Sequence, residues 1–429
     1  MKSALLASPL FLLLFDSGFA TDWTRFRGPN GTGVSNESVP TTWSETENVA
    51  WKSPVAGPGA SSPIVVGGKV FVTSYSGYGE SGGSLNDLVR HLQCFDAATG
   101  KELWERSVPA RLPEDNFSGF LREHGYATNT PVGDGEHVYA FFGKSGLYCY
   151  DLEGNEVWYK HLGSNSTPKR WGSASSPILY KDLVIVNAAE EALTVFAFDK
   201  KTGEEKWKAE GSGLMNAYNT PVLFPAENGA REDLIVTMPN EVWGLNPDSG
   251  KLRWLAVHGL GGNLAPGLTF AEDTVFIFGG FPRTARVAIK IDRKGEIPDD
   301  NVLWDERSAS YVPTPVVHGE YLYWINDQGY AMCCRQSDGE VIYKERLDAQ
   351  TSGSRGKPFY ASTILIDGRL YATSRRGGTF VVAAKPEFEL LAHNRIAGDN
   401  STFNATPAAA DGSLFLRSDG FLYRIGGAN

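Results

Sequence analysis

Six short segments, each ending at a Ser/Thr-Pro step or its equivalent, carry most of the side chains that could bind a ligand. They read HGYATNTP, RWGSASSP, MNAYNTP, ASYVPTP, KPFYAST and STFNATP. The candidate ligand-binding residues, all within these segments except Arg355, which precedes the fifth by two residues, are His124, Tyr126, Asn129, Arg170, Trp171, Asn216, Tyr218, Asn219, Tyr311, Arg355, Lys357, Tyr360, Phe403 and Asn404. Aromatic rings and forked guanidinium donors suit a sugar ring, a peptide carboxylate or an extended partner segment. The alternative is that the aromatic rings only cap strands and the amides bond to turn backbones.

Catalytic and metal-binding motifs are absent from the sequence. It contains no Cys-x-x-Cys-His, His-Glu-x-x-His or Gly-x-Ser-x-Gly motif, and its seven histidines show no metal-ligand spacing. We therefore name no catalytic residue and no metal ligand. The neighbouring pair Cys333-Cys334 could close into a strained vicinal disulfide in an oxidising compartment. Because side chains alternate along a strand, two reduced thiols pointing apart are the favoured interpretation.

An eleven-residue phrase that recurs along the chain predicts the architecture that positions the candidate residues. It reads AFDKKTGEEKW at Ala197–Trp207, and it recurs at Cys94–Trp104 and Gly244–Trp254. A copy one residue shorter lies at Cys149–Trp158, and Cys333–Tyr343 keeps an aromatic ring but not the indole. The phrase predicts a strand end, a tight turn whose Gly takes a positive φ, and a returning strand with a large aromatic side chain. A repeated phrase of this kind indicates stacked copies of one supersecondary unit.

A second phrase, Ser/Thr-Pro followed by two short apolar runs, marks the start of each unit. The markers are Pro63, Pro131, Pro177, Pro221, Pro266, Pro315, Thr363 and Pro407. Apart from the first, their spacings match a propeller blade of four strands, so eight markers predict an all-β, eight-bladed β-propeller of antiparallel blades. After Pro407 there is room for only three strands. We expect Asn48–Val55, with Trp51, to pair with Leu422–Ile425 and so close the last blade.

The N-terminal residues and the net charge indicate the cellular location of the protein and the partners that it does not favour. Residues 1–20 resemble a cleaved secretory signal, with an N-terminal membrane anchor as the alternative. Residues 21–47 are expected to form an extended lead-in segment, and residues 48–429 the propeller. The net charge of −10 favours neither nucleic acid nor anionic lipid as a partner. We expect an exported monomer, periplasmic or secreted, with no membrane span once the signal is cleaved.

The repeat resembles the tryptophan-docking motif of quinoprotein (pyrroloquinoline quinone, PQQ) propellers. Ala197–Trp207 matches that motif at every defined position, Cys94–Trp104 misses only the first, and Trp23–Ser35 is similar to the lead-in of exported PQQ-like proteins. The resemblance covers Asn48–Asn429. It implies eight blades tied together by tryptophans that lie between neighbouring sheets. In this sequence the corresponding residues are Trp51, Trp104, Trp158, Trp207, Trp254 and Trp304.

The resemblance leaves two main functions open, because the superfamily includes both BamB-type assembly scaffolds and calcium-dependent quinoprotein dehydrogenases. The first function is a non-catalytic exported scaffold that uses no cofactor and binds a protein, peptide or glycan on its loop face. The alternative is a PQQ- and calcium-dependent dehydrogenase of alcohols or sugars; a hydrolase or lyase is a third class. The longest predicted loops, Ser74–Arg90 and Ser107–Asn129, should rise side by side on the face that carries the candidate residues.

Overall fold

The chain folds into eight four-stranded antiparallel sheets that form the blades of a propeller, as the sequence predicts. This computed structural model describes residues 22–79, 82–117, 121, 124–349 and 357–427. The predicted signal segment, residues 1–20, and the candidate residue Arg355 lie outside the described residues. Each blade begins with a short inner strand directly after a marker of the second phrase, except that the inner strand of blade 5 begins three residues after Pro266.

The strands follow one another from the centre of the propeller outward in each blade. The first four blades consist of β3 (Ile64–Val66), β4 (Lys69–Ser76), β5 (Val89–Asp96) and β6 (Glu102–Pro109); β7 (Val132–Gly133), β8 (His137–Phe141), β9 (Leu147–Asp151) and β10 (Glu156–Lys160); β11 (Ile178–Tyr180), β12 (Leu183–Ala188), β13 (Thr194–Asp199) and β14 (Glu205–Glu210); and β15 (Val222–Ala226), β16 (Arg231–Met238), β17 (Glu241–Leu245) and β18 (Leu252–Val257).

The second half of the propeller includes two additions to the pattern. Blades 5 to 7 consist of β19 (Thr269–Ala271), β20 (Thr274–Gly279), β21 (Ala285–Lys290) and β23 (Val302–Arg307); β24 (Val316–His318), β25 (Tyr321–Ile325), β26 (Tyr330–Arg335) and β27 (Val341–Arg346); and β28 (Ile364–Ile366), β29 (Arg369–Ser374), β30 (Gly378–Ala383) and β31 (Leu390–Asn394). In addition, β22 (Gly295–Ile297) pairs with the outer strand of blade 4, and β1 (Val34–Ser35) with the inner strand of blade 7. The short helical segments include α1 (Ala189–Ala192) and 3-10 turns at Leu85–Asp87, Gly143–Ser145, Ser212–Leu214 and Asp299–Asn301.

The N-terminal strand closes the eighth blade. Strand β2 (Val49–Pro54) pairs antiparallel with β34 (Phe421–Ile425), which continues through β33 (Ser413–Arg417) to the inner strand β32 (Ala408–Ala410). Val49 lies opposite Ile425 and Pro54 opposite Phe421. The predicted closure is therefore confirmed, and it removes the open edge that β34 would otherwise present.

Docking tryptophans tie most blades to the next one. The indole Nε1 of Trp51, Trp104, Trp158, Trp207 and Trp304 donates to a carbonyl in the outer hairpin of the following blade, over 2.7–3.0 Å. The Gly of that hairpin lies against the indole: a Cβ added to it would come within 2.4–2.9 Å of the aromatic ring. The Gly of the repeated phrase thus serves both the positive φ of the turn and the close approach of the tryptophan.

Two docking positions differ from this pattern. Trp104 is only half-buried, with the Arg106 guanidinium 5.2 Å from its aromatic ring. Trp254 is fully buried, but its Nε1 donates to Asp233 of its own blade. In the next blade, the segment between β21 and β23 contains β22, which pairs parallel with the strand of Trp254 in place of the repeated hairpin.

A tryptophan from the lead-in segment fills the junction between blades 7 and 8. Ala392 lies opposite Val381, where other blades place the docking residue. Trp43 is buried in the core shared by these two blades and stacks on Tyr371, with the ring centroids 6.4 Å apart. Its backbone N–H donates to the Asn394 side chain. Trp43 is thus part of the packed core of the propeller.

The four cysteines are free and buried in the cores between blades. Cys333 and Cys334 point to opposite faces of their sheet, because Cys333 packs in the core shared with blade 7 and Cys334 in the core shared with blade 5. Burial raises the pKa of Cys333 to about 12 and that of Cys334 to about 11, so both are protonated thiols at neutral pH. This arrangement is the one favoured from the sequence, two reduced thiols that point apart, and not a vicinal disulfide.

Candidate functional site

The lead-in segment seals one end of the central channel. Trp23 pairs with Val65 of blade 1 through two backbone hydrogen bonds of 2.9 Å, and Phe26 lines the channel cavity. Asp22 accepts from the backbone N–H of Gly67, in the turn after the inner strand of blade 1. The segment therefore occupies the face opposite the inter-blade loops, and Phe26 forms the floor of the channel.

Two buried arginines hold this plug in place. Arg25 donates to the carbonyl of Pro221, and Arg27 donates to the carbonyls of Thr314, Pro315 and Thr363 and of Thr32 within the lead-in segment. Burial lowers the pKa of Arg25 to about 10 and that of Arg27 to about 9, which leaves both charged at neutral pH. Their charges are compensated by carbonyl dipoles at the inner strands of blades 4, 6 and 7.

We predict that Arg27→Ala lowers the free energy of unfolding by about 2–3 kcal/mol, because it leaves several buried carbonyl oxygens without a hydrogen-bond donor. The exposed Arg293, changed to Ala, is the control and should have little effect. Chemical denaturation of the two variants beside the parent protein checks the prediction. Equal midpoints for Arg27→Ala and Arg293→Ala would show that the plug is not held by these hydrogen bonds.

A chain of hydroxyl groups lines the channel above the floor. The Ser or Thr at the start of one blade accepts from the backbone N–H of the corresponding residue in the preceding blade, over 2.8–3.1 Å. The pairs are Ser62 to Thr130, Thr130 to Ser176, Ser176 to Thr220, Gly267 to Thr314, Thr314 to Ser362, and Ser362 to Thr406. The chain is interrupted at Gly267, which has no hydroxyl. These residues of the second phrase therefore link neighbouring blades.

Four aromatic side chains from four blade boundaries form a roof over the channel. His124 stacks on Tyr360 and on Trp171, with centroids 5.8 and 5.7 Å apart, and Trp171 stacks on Tyr218 at 5.4 Å. A cavity of about 110 Å³ lies between this roof and Phe26. Burial, together with the nearby cations Arg375 and Lys357, lowers the pKa of His124 to about 4, so its imidazole is neutral at pH 7.

Further aromatic and cationic groups extend the roof toward the loop face. Tyr311 packs edge-on against Trp171 at 5.9 Å and also contacts Phe281, whose side chain is 51% exposed. The Lys357 ammonium lies 4.0 Å from the centre of the Tyr311 ring. Arg375 lies over Tyr360 and donates to the side chain of Asn404, which lines the cavity. Sequence reasoning missed Phe281 and Arg375, which lie in turns between second and third strands.

The structure brings seven of the candidate residues together at the channel mouth. They are His124, Trp171, Tyr218, Tyr311, Lys357, Tyr360 and Asn404. Arg170 is exposed beside Trp171 and has a positive φ of 51°. Asn216 accepts from the Tyr218 hydroxyl at 3.3 Å, at the edge of the roof.

The other described candidates do not join the group at the channel mouth. Asn129 donates to Ser175 O and Ser173 Oγ, and the side chain of Asn219 bonds both backbone groups of Thr237. These two amides follow the alternative interpretation, that they satisfy local polar groups. Phe403 stacks on Tyr423 within blade 8. Tyr126 lies outside the mouth: it stacks on Phe117 at 4.5 Å, and its hydroxyl donates to Asp115 O.

The two long loops form a small core of their own beside the mouth. Tyr75 packs edge-on against Tyr126, and the Tyr78 hydroxyl donates to Asn116 at 2.6 Å, so the loops lie side by side as predicted. The first loop is shorter than Ser74–Arg90, because β4 continues to Ser76 and β5 begins at Val89. The longer strands leave fewer residues for the connection.

Buried ion pairs, which carry no signal in the sequence, fix the second loop to blades 1 and 2. Arg90 pairs with Glu114 at 2.5 Å and Lys144 with Asp115 at 2.8 Å. Glu190 and Glu191 of α1 line the same cavity of about 20 Å³, which has room for about one water molecule. Burial raises the pKa of Glu191 to about 8. This cluster therefore orders the loop next to the mouth.

The described channel residues do not fit a calcium-bound quinone. The cavity of about 110 Å³ is well below the roughly 300 Å³ at which ligand pockets usually begin. Its described lining consists of aromatic, hydroxyl and small side chains with one amide, whereas calcium takes six to eight oxygen ligands, mostly from carboxylates, carbonyls and water. Across the described ranges, no group of three or more His, Cys, Asp or Glu side chains could hold a metal ion.

The fold and its docking indoles define a PQQ-like repeat propeller, and the comparisons place the chain within that class. The family described as outer membrane protein assembly factor BamB matches residues 41–109 and 90–345, and the chain belongs to this family. No curated protein matches the sequence significantly.

Solved structures with the same fold include a BamB protein, an alcohol dehydrogenase and a designed protein. BamB from Moraxella catarrhalis is 11% identical, with a TM-score of 0.60 over 88% of this chain and 96% of that one. The quinohemoprotein alcohol dehydrogenase from Comamonas testosteroni is 12% identical, with a TM-score of 0.62 over 95% of this chain and 81% of that one. The computationally designed Ika8 protein is 13% identical, with a TM-score of 0.57 over 87% and 98% of the two chains. These similarities show the fold alone. In the part of this chain that the structure describes, no helix is long and apolar enough to cross a bilayer.

Proposed function

We propose that this protein is an exported, non-catalytic scaffold that binds a protein, peptide or glycan partner on its loop face. A protein partner is favoured, since the family description names a factor for assembling outer membrane proteins. The same description and the signal-like residues 1–20 support a periplasmic location over a secreted one.

The observation that carries the proposal is the roofed channel mouth. Its aromatic side chains come from several blade boundaries and are packed against one another, so they form a surface that is already ordered before binding. Phe281 adds an exposed aromatic side chain, while Arg170 and Lys357 add cationic donors at the edge. Aromatic side chains and arginines are the residue types that dominate the energy of protein interfaces.

The alternative dehydrogenase would need a different arrangement at the same place. A quinone cofactor would supply the redox chemistry, and the residues around it would have to hold calcium and abstract a proton from the substrate. The roof residues instead stack on one another and occupy the upper part of the channel. His124, the imidazole among them, is part of that stack. Partner binding at the surface makes use of the mouth as it stands.

We predict that replacing both Arg170 and Trp171 by Ala abolishes partner capture from a periplasmic fraction of the native host, measured by affinity pull-down and mass spectrometry. The physical reason is the loss of a stacking surface in the mouth and of a forked donor at its edge. The matched control replaces Tyr330 and Arg346, a second aromatic–arginine pair at the outer part of blade 6. That control should capture the partner normally, and both variants should keep the circular dichroism of the parent.

The same preparation tests the enzymatic alternative. With calcium and PQQ supplied, we expect no dye-linked oxidation of alcohols or sugars by the parent protein. Turnover that a calcium chelator removes would overturn the scaffold proposal. If the variant with both Arg170 and Trp171 replaced still captured the partner, the partner would bind elsewhere than at the channel mouth.

A further inference from the structure

A larger pocket lies on the loop face between blades 7 and 8, away from the channel. Its volume is about 370 Å³, within the range of small-molecule sites and more than three times that of the channel cavity. The turn between β29 and β30 and the connection from β31 to β32 form its walls. Of the candidate residues that the sequence predicts, Phe403 lines it, and none of the seven that meet at the channel mouth does.

The pocket combines an apolar interior with polar walls. Trp43, Ile396, Phe403 and Leu416 supply the apolar surface, and Arg376, Arg395, Asn400 and Ser401 supply the polar one. The space exists because small residues line blade 7 at this level: Gly378 has a positive φ of 94°, and Thr373 and Thr379 bond to each other over 3.0 Å. The Trp43 indole, which replaces a docking tryptophan, closes the interior.

The two arginines that line the pocket have no carboxylate partner among the described residues. Arg376 is exposed, and its guanidinium donates a long hydrogen bond of 3.4 Å to Thr402 Oγ1. Arg395 is also exposed, and its Nε lies 3.5 Å from His393 Nε2. That imidazole nitrogen is within hydrogen-bond distance of the Gly377 carbonyl, to which it can only donate. It therefore accepts nothing from Arg395.

The one carboxylate in the described lining of the pocket is fully engaged elsewhere. Asp399 accepts from the backbone and hydroxyl of Ser401 through one oxygen, and from Ser418 and Tyr423 through the other. Hydrogen bonds from these groups lower the pKa of Asp399 although burial opposes them, so it remains charged. Two guanidinium groups against one occupied carboxylate leave the described lining with a net positive charge and with unused donors.

We propose that this pocket binds a small organic anion, with the carboxylate or phosphate oxygens held by Arg376 and Arg395 and the apolar part against Phe403 and Ile396. Forked guanidinium donors match both carboxylate and phosphate oxygens, and the charge assists the hydrogen bonds. Asn400 and Ser401 add polar groups at the wall. The site is separate from the channel mouth, and the proposal stands independently of the proposed function.

The test is isothermal titration calorimetry of the full protein with phenyl phosphate, phenylacetate and the neutral benzyl alcohol. We expect saturable binding of at least one of the two anions and much weaker binding of the alcohol. Arg376→Ala and Arg395→Ala should each weaken anion binding at least tenfold, whereas Arg346→Ala, an exposed arginine on blade 6, should leave it unchanged. Binding should also weaken as salt is raised, because the site is open to solvent.

The outcomes separate the two sources of the anion. Tighter binding of phenyl phosphate assigns the site to phosphate esters, and tighter binding of phenylacetate assigns it to carboxylates. Because both arginine side chains are exposed, their variants should melt like the parent protein, so a loss of binding reports on the site itself. The absence of saturable binding for both anions, or equal affinities in Arg376→Ala, Arg395→Ala and the parent, would overturn the proposal.

Discussion

A variant that lacks residues 22–55 is expected to lose its cooperative unfolding transition. The deletion removes β2, and with it the antiparallel partner of β34, so the eighth blade is left with three strands and an open edge. It also removes Trp43 and Trp51, which fill the junctions of blade 8 with its two neighbours. Two large buried aromatic side chains are worth about 6–10 kcal/mol together. That loss is comparable to a typical free energy of unfolding of about 5–15 kcal/mol.

Calorimetry and near-ultraviolet circular dichroism check this expectation, and a shorter deletion is the control. Removing only residues 22–35 deletes the channel plug and β1 but keeps Trp43 and β2. We expect that variant to melt cooperatively at a lower temperature than the parent. A cooperative transition near the parental temperature in the longer deletion would show that the eighth blade is stable with three strands.

The sequence predicts the fold well because the fold is built from local signals. The turn glycines, the docking tryptophans and the Ser/Thr-Pro markers each act within one hairpin or between adjacent blades, so the repeat states them directly. The closing strand can also be predicted, because the sequence after Pro407 has room for only three strands and Trp51 stands in a docking position. Each of these inferences depends on a contact that recurs around the propeller.

Contacts that occur once are the ones that the sequence does not reveal. Trp43 replaces the docking residue at a junction where the repeat has Ala392, yet it comes from a part of the chain about 350 residues away. Arg25 and Arg27 bond carbonyls of three distant blades, and no pattern in the lead-in segment specifies those partners. The hydrogen bond of Trp254 to Asp233 of its own blade is likewise a single exception, found where the next blade has an irregular outer segment.

The candidate site was predictable only in part for a related reason. Because the inter-blade segments all end at the inner strands, their aromatic side chains had to converge near the axis, and His124, Trp171, Tyr218 and Tyr360 do so. Whether an amide points to the mouth or to a backbone group depends on the local turn, and Asn129 and Asn219 turn inward. Tyr126 packs instead in the hydrophobic core of the two long loops, away from the channel mouth.

The second large effect is expected at the docking tryptophans. Trp207→Ala and Trp304→Ala should each lower the free energy of unfolding by about 3–5 kcal/mol, because each empties a packed space between two blades. Both side chains are buried, and both indoles contact the turn Gly of the next blade. Trp207→Phe should cost less, since it keeps most of the apolar contact and loses the hydrogen bond to Pro247 O.

Trp171→Ala is the matched comparison, because it removes the same side chain from the channel roof. Trp171 is partly exposed and packs against His124, Tyr218 and Tyr311 without lying between two sheets. Aromatic pairs of this kind contribute about 0.5–1.5 kcal/mol each beyond their buried area, and the roof can rearrange over an open face. The urea midpoint, compared at an unchanged m-value, should therefore shift much less for Trp171→Ala than for Trp207→Ala. Equal shifts would mean that the roof stabilises the propeller as strongly as the docking residues do, and the channel mouth would then have to be regarded as part of the scaffold.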